Sequence, residues 1–128
     1  MYNLTDRSIV IGVSGSIAAY KAVDLASKLT QAGARVDVIM TPDAARFVAP
    51  LSFAGVTGRP VYTDMFDVAT GLAEKHVELG RQAEAYVIAP ATAATIARLA
   101  SGLAEDLVSL TALSTQAPVI VCPAMDSQ

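Results

Sequence analysis

A chain of 128 residues, 53% hydrophobic and 16% charged, fits one domain, residues 1–128, with a single core. A net charge of −3 and a pI near 4.9, with no Lys/Arg cluster, exclude a nucleic-acid-binding role. The mean hydropathy of +0.47 is high, yet no apolar run approaches the ~18 residues of a membrane span, so the apolar surplus points to surface buried against other subunits.

In chain order, the opening MYNLTDRSIVIG lacks the basic and apolar segments of a secretory signal, which makes a cytoplasmic location the expectation. Ser8–Val13 (SIVIGV) is rich in β-branched residues and predicts a strand. Apolar residues at helical spacing predict a helix over Ile17–Ala32, ended by Gly33. Arg35–Met40 (RVDVIM) reads as the second strand and closes on Thr41-Pro42, an N-cap followed by proline at the first helical position. Residues 55–71 are the least regular stretch and are expected to be loop with a short edge strand near Val61. EKHVELG, which holds the single histidine His76, begins a short amphipathic segment leading into the fourth strand, Ala85–Ala89. Ala93–Leu99 and Glu105–Leu113 read as helices separated by Ser101-Gly102, and Val119–Cys122 as the last strand. Cys122 is the sole cysteine, so an internal disulfide is impossible and no cysteine metal-site spacing exists.

Alternating strands and helices with mostly apolar strands imply an α/β fold: a three-layer Rossmann-like (flavodoxin-like) parallel sheet with helices on both faces. Ligands of such sheets bind outside the carboxyl ends of the strands. The turns there are SGSIA, TPDAA, PATAAT and PAMD. Gly12-Val-Ser-Gly15-Ser-Ile is not the dinucleotide fingerprint, and the second strand ends in Met40-Thr41 instead of an acid for a ribose, which disfavours a nicotinamide cofactor. A mononucleotide phosphate remains open beside a purely structural turn. Gly15 permits close backbone approach, Ser14 and Ser16 supply hydroxyls, and the following helix offers N–H groups. Thr92 and Thr95 repeat that logic, with helix capping as the simpler reading, and Thr41 adds a third hydroxyl. His76 is the one side chain whose ordinary pKa, ~6.5, suits acid–base work near neutrality, although a lone histidine is more often structural. For Glu105 and Asp106 a solvated face or an interaction with a helix N-terminus is the simpler reading.

Taken in order and spacing, GVSGSIAAYK, VIMTPDAARFV, HVELG, VIAPATAATIARLASGLAEDL and PVIVCPAMD resemble the flavin-containing cysteine decarboxylases, and among them the phosphopantothenoylcysteine decarboxylases. The likeness runs from about Ser8 to the last residue. It implies FMN as cofactor, no metal, and decarboxylation of 4′-phosphopantothenoylcysteine to 4′-phosphopantetheine in coenzyme A biosynthesis. In that chemistry the substrate thiol is oxidised to a thioaldehyde, CO₂ leaves with its electrons delocalised onto sulfur, and the resulting enethiolate is then reduced and protonated. The resemblance places Gly15, Ser16 and Ile17 in the first FMN loop, Thr41 and Phe47 in the second, and Thr92, Ala93, Ala94 and Thr95 in the segment P-A-S-A-N-T. It makes Ala124 a flavin contact, His76 the catalytic histidine, and Met125 and Asp126 the clamp on the substrate carboxylate. It also implies a homotrimer, or a higher assembly of trimers, with the active site at a subunit boundary.

Three departures accompany the likeness. Ala94 stands where the family has an asparagine, and Asp126 stands where P-A-M-N has one. The sequence stops at Gln128, before the family's sixth strand and its proton-donor cysteine segment, so the sheet is expected to miss its last strand, and Cys122 is not that cysteine. Two alternatives therefore stay open: a flavin-binding protein or subunit without decarboxylase activity, and a peptidyl-cysteine decarboxylase.

Overall fold

The computed structural model describes residues 3–63 and 72–124, with backbone alone for 72–76. Five parallel strands form one sheet: β1 (Ser8–Val13), β2 (Arg35–Met40), β3 (Val61–Tyr62), β4 (Ala85–Ala91) and β5 (Val119–Pro123), in the order β3-β2-β1-β4-β5. Of the two common doubly wound orders this is the Rossmann one, and the chain reverses direction across the sheet between β1 and β4.

Alternation along β1 decides the layers. Ile9, Ile11 and Val13 face one side with Val36, Val38 and Met40 of β2, covered by α1 (Ala19–Gln31) and α2 (Pro50–Thr57). Val10 faces the other side with Ile39, Tyr86 and Ile88, beneath α3 (Leu72–Gln82), α4 (Ala93–Ser101) and α5 (Leu107–Ser114). Because both faces are covered, the central strands read as nearly unbroken apolar runs. Among the described residues no helix is long and apolar enough to cross a membrane.

Several elements differ from the sequence expectation. α1 starts at Ala19 instead of Ile17, because the Ser16 hydroxyl accepts the Ala18 N–H at 3.1 Å and closes a turn ahead of the helix. Thr41 is not the N-cap expected: Asp43 holds that position before a single 3-10 turn, Ala44–Arg46, Pro42 lies outside it, and the Thr41 Oγ1 accepts the Ala44 N–H at 3.1 Å from two residues further back. The stretch beginning at Gly55 is not all loop: α2 runs through Gly55 to Thr57, with Pro50 in its first turn and Gly58 in the left-handed region at φ 70°. Its eight residues carry little helical periodicity, and burial of Phe53 supplies the stability that propensity does not. The edge strand falls at Val61–Tyr62 as expected, and residues 64–71 lie outside the described residues. Asp106 stands before α5 as its N-cap, accepting the Ser109 N–H at 2.8 Å in a capping box.

Tyr86 ties the sheet to α5. Its hydroxyl donates to the Val108 carbonyl at 2.7 Å, and burial, with a smaller contribution from the Asp106 carboxylate, pushes its pKa well above 10. The ring lies over Gly12, where a Cβ would come within 2.5 Å of the phenol oxygen and 3.0 Å of the ring. Gly12→Ala is therefore expected to destabilise the fold by about 1–3 kcal/mol through overpacking, read as a lower denaturant midpoint with an unchanged slope.

Candidate functional site

Among the described residues, two cavities open at the carboxyl ends of the strands, on either side of the turn that follows β1. The first, of about 580 Å³, is bounded by Ser16, Ile17 and Lys21, by Ala89-Pro90 at the end of β4, and by Cys122 and Ala124 at the end of β5. The second, of about 380 Å³, is bounded by Gly15, Thr41 and Asp43, by Ala94, Thr95 and Arg98 of α4, and by Glu105 and Asp106, with Thr92 at its rim. Gly15 and Ser16 are adjacent residues that face different cavities, so this one turn belongs to both.

Gly15 is required by packing. A Cβ there would meet the Asp43 Cβ at 2.6 Å and the Asp43 carbonyl carbon at 3.0 Å, so its absence lets the turns after β1 and β2 close on each other. Ser14, expected to offer its hydroxyl to a phosphate, does not face either cavity. It is 1% exposed, its hydroxyl donates to the Pro90 carbonyl at 2.5 Å, and the same oxygen accepts the Thr92 N–H at 2.9 Å. The strand-end position that supplies a hydroxyl is thus consumed by a tie between two turns.

The start of α4 turns free donors toward the second cavity. Thr92 is the N-cap, with its Oγ1 accepting the Thr95 N–H and donating to Thr95 Oγ1, both at 3.2 Å. Among the described residues, the N–H groups of Ala93 and Ala94 have no acceptor, and the Thr95 hydroxyl keeps its own proton to offer. Free N–H groups at a helix start attract negative charge. The carboxylates nearby are already engaged or solvated. Asp106 caps α5 and lies 3.7 Å from Arg98, Glu105 lies 3.4 Å from Arg98, and Asp43 is largely exposed. Arg98, one turn beyond Thr95, is the guanidinium bordering this cavity.

Of the residues singled out from sequence, Ser16, Ile17 and Ala124 gather at the first cavity and Gly15, Thr41, Thr92, Ala94 and Thr95 at the second. Ala93 opens α4 and presents its N–H. Phe47 ends the 3-10 turn, half exposed, and borders neither cavity. His76 sits in α3, where its side chain is not among those described, and Met125 and Asp126 lie outside the described residues.

Sequence reasoning missed Lys21 and Arg98, the cations bordering the two cavities among the described residues. A signal for Lys21 was present: a lysine in the first turn of a helix opposes the positive end of the helix dipole. Such a placement makes sense beside an anion.

The Flavoprotein family matches the whole chain, residues 1–128. The coenzyme A biosynthesis bifunctional protein CoaBC of Escherichia coli (strain K12) is 49% identical over 126 residues, which is 98% of this chain and 31% of that protein. CoaBC of Bacillus subtilis (strain 168) is 46% identical over 123 residues, 96% of this chain and 30% of that protein. The chain thus spans about a third of the length of these curated relatives. Among solved structures, the FMN-dependent cysteine decarboxylase TvaF from thioviridamide biosynthesis superposes with a TM-score of 0.86 at 33% identity, covering 93% of this chain and 74% of that one. A PPC decarboxylase mutant complexed with pantothenoylaminoethenethiol superposes with a TM-score of 0.82 at 30% identity, covering 96% of this chain and 69% of that one.

Proposed function

The chain belongs to the Flavoprotein family, and we propose that it binds FMN and decarboxylates 4′-phosphopantothenoylcysteine to 4′-phosphopantetheine. The observation that carries this reading is the pair of adjoining cavities at the β1–β4 switch point, each bordered by a cation among the described residues, Lys21 at the first and Arg98 at the second. The 49% identity to a coenzyme A biosynthesis protein supports the small phosphorylated substrate.

The donor set fits FMN. A phosphate at the second cavity would meet the Ala93 and Ala94 N–H groups, the Thr95 hydroxyl and Arg98, in the cradle kept open by Gly15. Thr41 and Thr92 would hold the walls of that cradle, with Ser16, Ile17, Phe47 and Ala124 along the rest of the cofactor. FMN supplies a two-electron acceptor and donor when bound. The residues of the chain do the rest. Lys21 would pair with the substrate phosphate, Met125 would pack against the substrate carboxylate, Asp126 would hold that carboxylate through one proton shared between the two carboxyl groups, and His76 would move the proton.

Ala94, in place of the family's asparagine, contributes its backbone N–H and no side-chain amide. We also propose assembly as a homotrimer, because Ile17, Tyr20, Phe47 and Leu51 are all more than half exposed on and beside the two strand-end turns. A partner on that surface would enclose the open side of the site.

Lys21→Ala tests the substrate assignment. Loss of one charge-assisted contact is expected to raise KM for the phosphorylated substrate about 10-fold or more with little change in kcat. For the same substrate without its phosphate, the variant and the wild type are expected to behave alike. An equal effect on both substrates would contradict the role of Lys21 and favour a peptide or another non-phosphorylated substrate.

A further inference from the structure

We infer that Ser14 is a positioning residue that sets the distance and register between the two turns assigned to the cofactor. This rests on the FMN reading above and adds a residue that touches neither cavity. The regular β1–β4 ladder ends at the pair Gly12↔Ile88. Beyond it the two chains would be free to diverge, since β1 enters the Gly15-Ser16 turn and β4 runs to Ala91 and the start of α4.

Ser14 replaces the missing ladder. Its N–H donates to the Pro90 carbonyl at 3.2 Å, its hydroxyl donates to the same carbonyl at 2.5 Å, and its oxygen accepts the Thr92 N–H at 2.9 Å. Two donors thus converge on one carbonyl, and one oxygen acts in both directions. Only a hydroxyl on a short stem does this in a site that is 1% exposed.

The tie reaches the anion-binding groups through one residue. With its N–H held by Ser14, Thr92 keeps its side chain turned to Thr95, which fixes the first turn of α4 and the direction of the free Ala93 and Ala94 N–H groups. One covalent step from Ser14 on the other side stands Gly15, locked against Asp43. Ser14 therefore links the β1 turn, the β2 turn and the start of α4 into one frame.

Ser14→Ala removes the donor and acceptor and leaves a partly buried Thr92 N–H unpaired. In the whole protein stripped of flavin, the Thr92 amide is expected to exchange with deuterium about 10–100-fold faster than in the wild type. In a titration followed by quenching of flavin fluorescence, the Kd for FMN is expected to rise by the same factor. Ser14→Thr, which keeps the hydroxyl, is expected to restore both. If Ser14→Ala does not fold, Ser14→Cys, of similar size with a much weaker donor and acceptor, carries the same two measurements. Unchanged Thr92 exchange, or wild-type FMN affinity in a variant with fast exchange, overturns the inference. Wild-type protein that fails to bind FMN contradicts the functional reading instead, and the exchange measurement still decides whether Ser14 holds α4.

Discussion

Gly15→Asp protein is expected to be purified without flavin, in contrast to a yellow wild type. Two effects act together. Any Cβ at this position lies 2.6 Å from the Asp43 Cβ and 3.0–3.2 Å from the Asp43 and Ala44 backbone. The neighbours are the Asp43 Cβ and main chain, not the tip of a flexible side chain, so the turn after β2 must move and carry Thr41 with it. The new carboxylate would also stand beside Asp43 and against a phosphate, and like charges brought together cost several kcal/mol. The combined loss of FMN affinity is expected to be ~100-fold or more. Gly15→Ala isolates the steric part and is expected to bind FMN with an intermediate affinity. Bound flavin is read from visible absorbance per polypeptide, with the far-UV circular dichroism showing that the variant is folded. Flavin at wild-type stoichiometry in folded Gly15→Asp protein would remove this turn from the cofactor site.

His76→Asn is expected to separate binding from chemistry. The cavity residues described above are unchanged by the substitution, and the protein is expected to keep its flavin. Removing a positioned acid–base group is expected to lower the decarboxylation rate by ~10²–10⁴-fold. The fold gives the histidine a firm platform. One turn beyond it, the Gly80 carbonyl accepts the Thr115 hydroxyl at 2.7 Å, and the absence of a Gly80 side chain lets α3 rest against Thr111 and Thr115 of the α5 region. Stopped-flow measurement of flavin bleaching on mixing with substrate places the defect. Slowed bleaching assigns His76 to the oxidative half of the reaction, whereas wild-type turnover would make His76 structural.

Which parts of the fold and site were legible in the sequence follows from the length scale of each signal. The boundaries of β1 and β2 follow directly from SIVIGV and RVDVIM, since β-branched residues buried on both faces leave an unmistakable run. α2 was not legible. Its eight residues, Gly55 among them, carry no helical periodicity, and it is held by Phe53 in the core, a contact no local pattern encodes. Strand-end turns marked the region of the site, because the topology of a parallel sheet places them together whatever their residues. Which hydroxyl faces a ligand was not legible: Ser14 and Ser16 are two residues apart, yet one is spent on Pro90 and Thr92 while the other borders the first cavity. Arg98 was hidden for a similar reason, since only the placement of α5 after Gly102 brings Glu105 and Asp106 to it.

The central claim is tested most directly by incubating the FMN-loaded protein with 4′-phosphopantothenoylcysteine and, separately, with a peptide ending in cysteine, then weighing the products by mass spectrometry. The account predicts that the phosphorylated small molecule is converted to a species lighter by one CO₂ and that the peptide is left unchanged. A peptide that loses CO₂ while 4′-phosphopantothenoylcysteine does not, or flavin-loaded protein that decarboxylates neither, would contradict it.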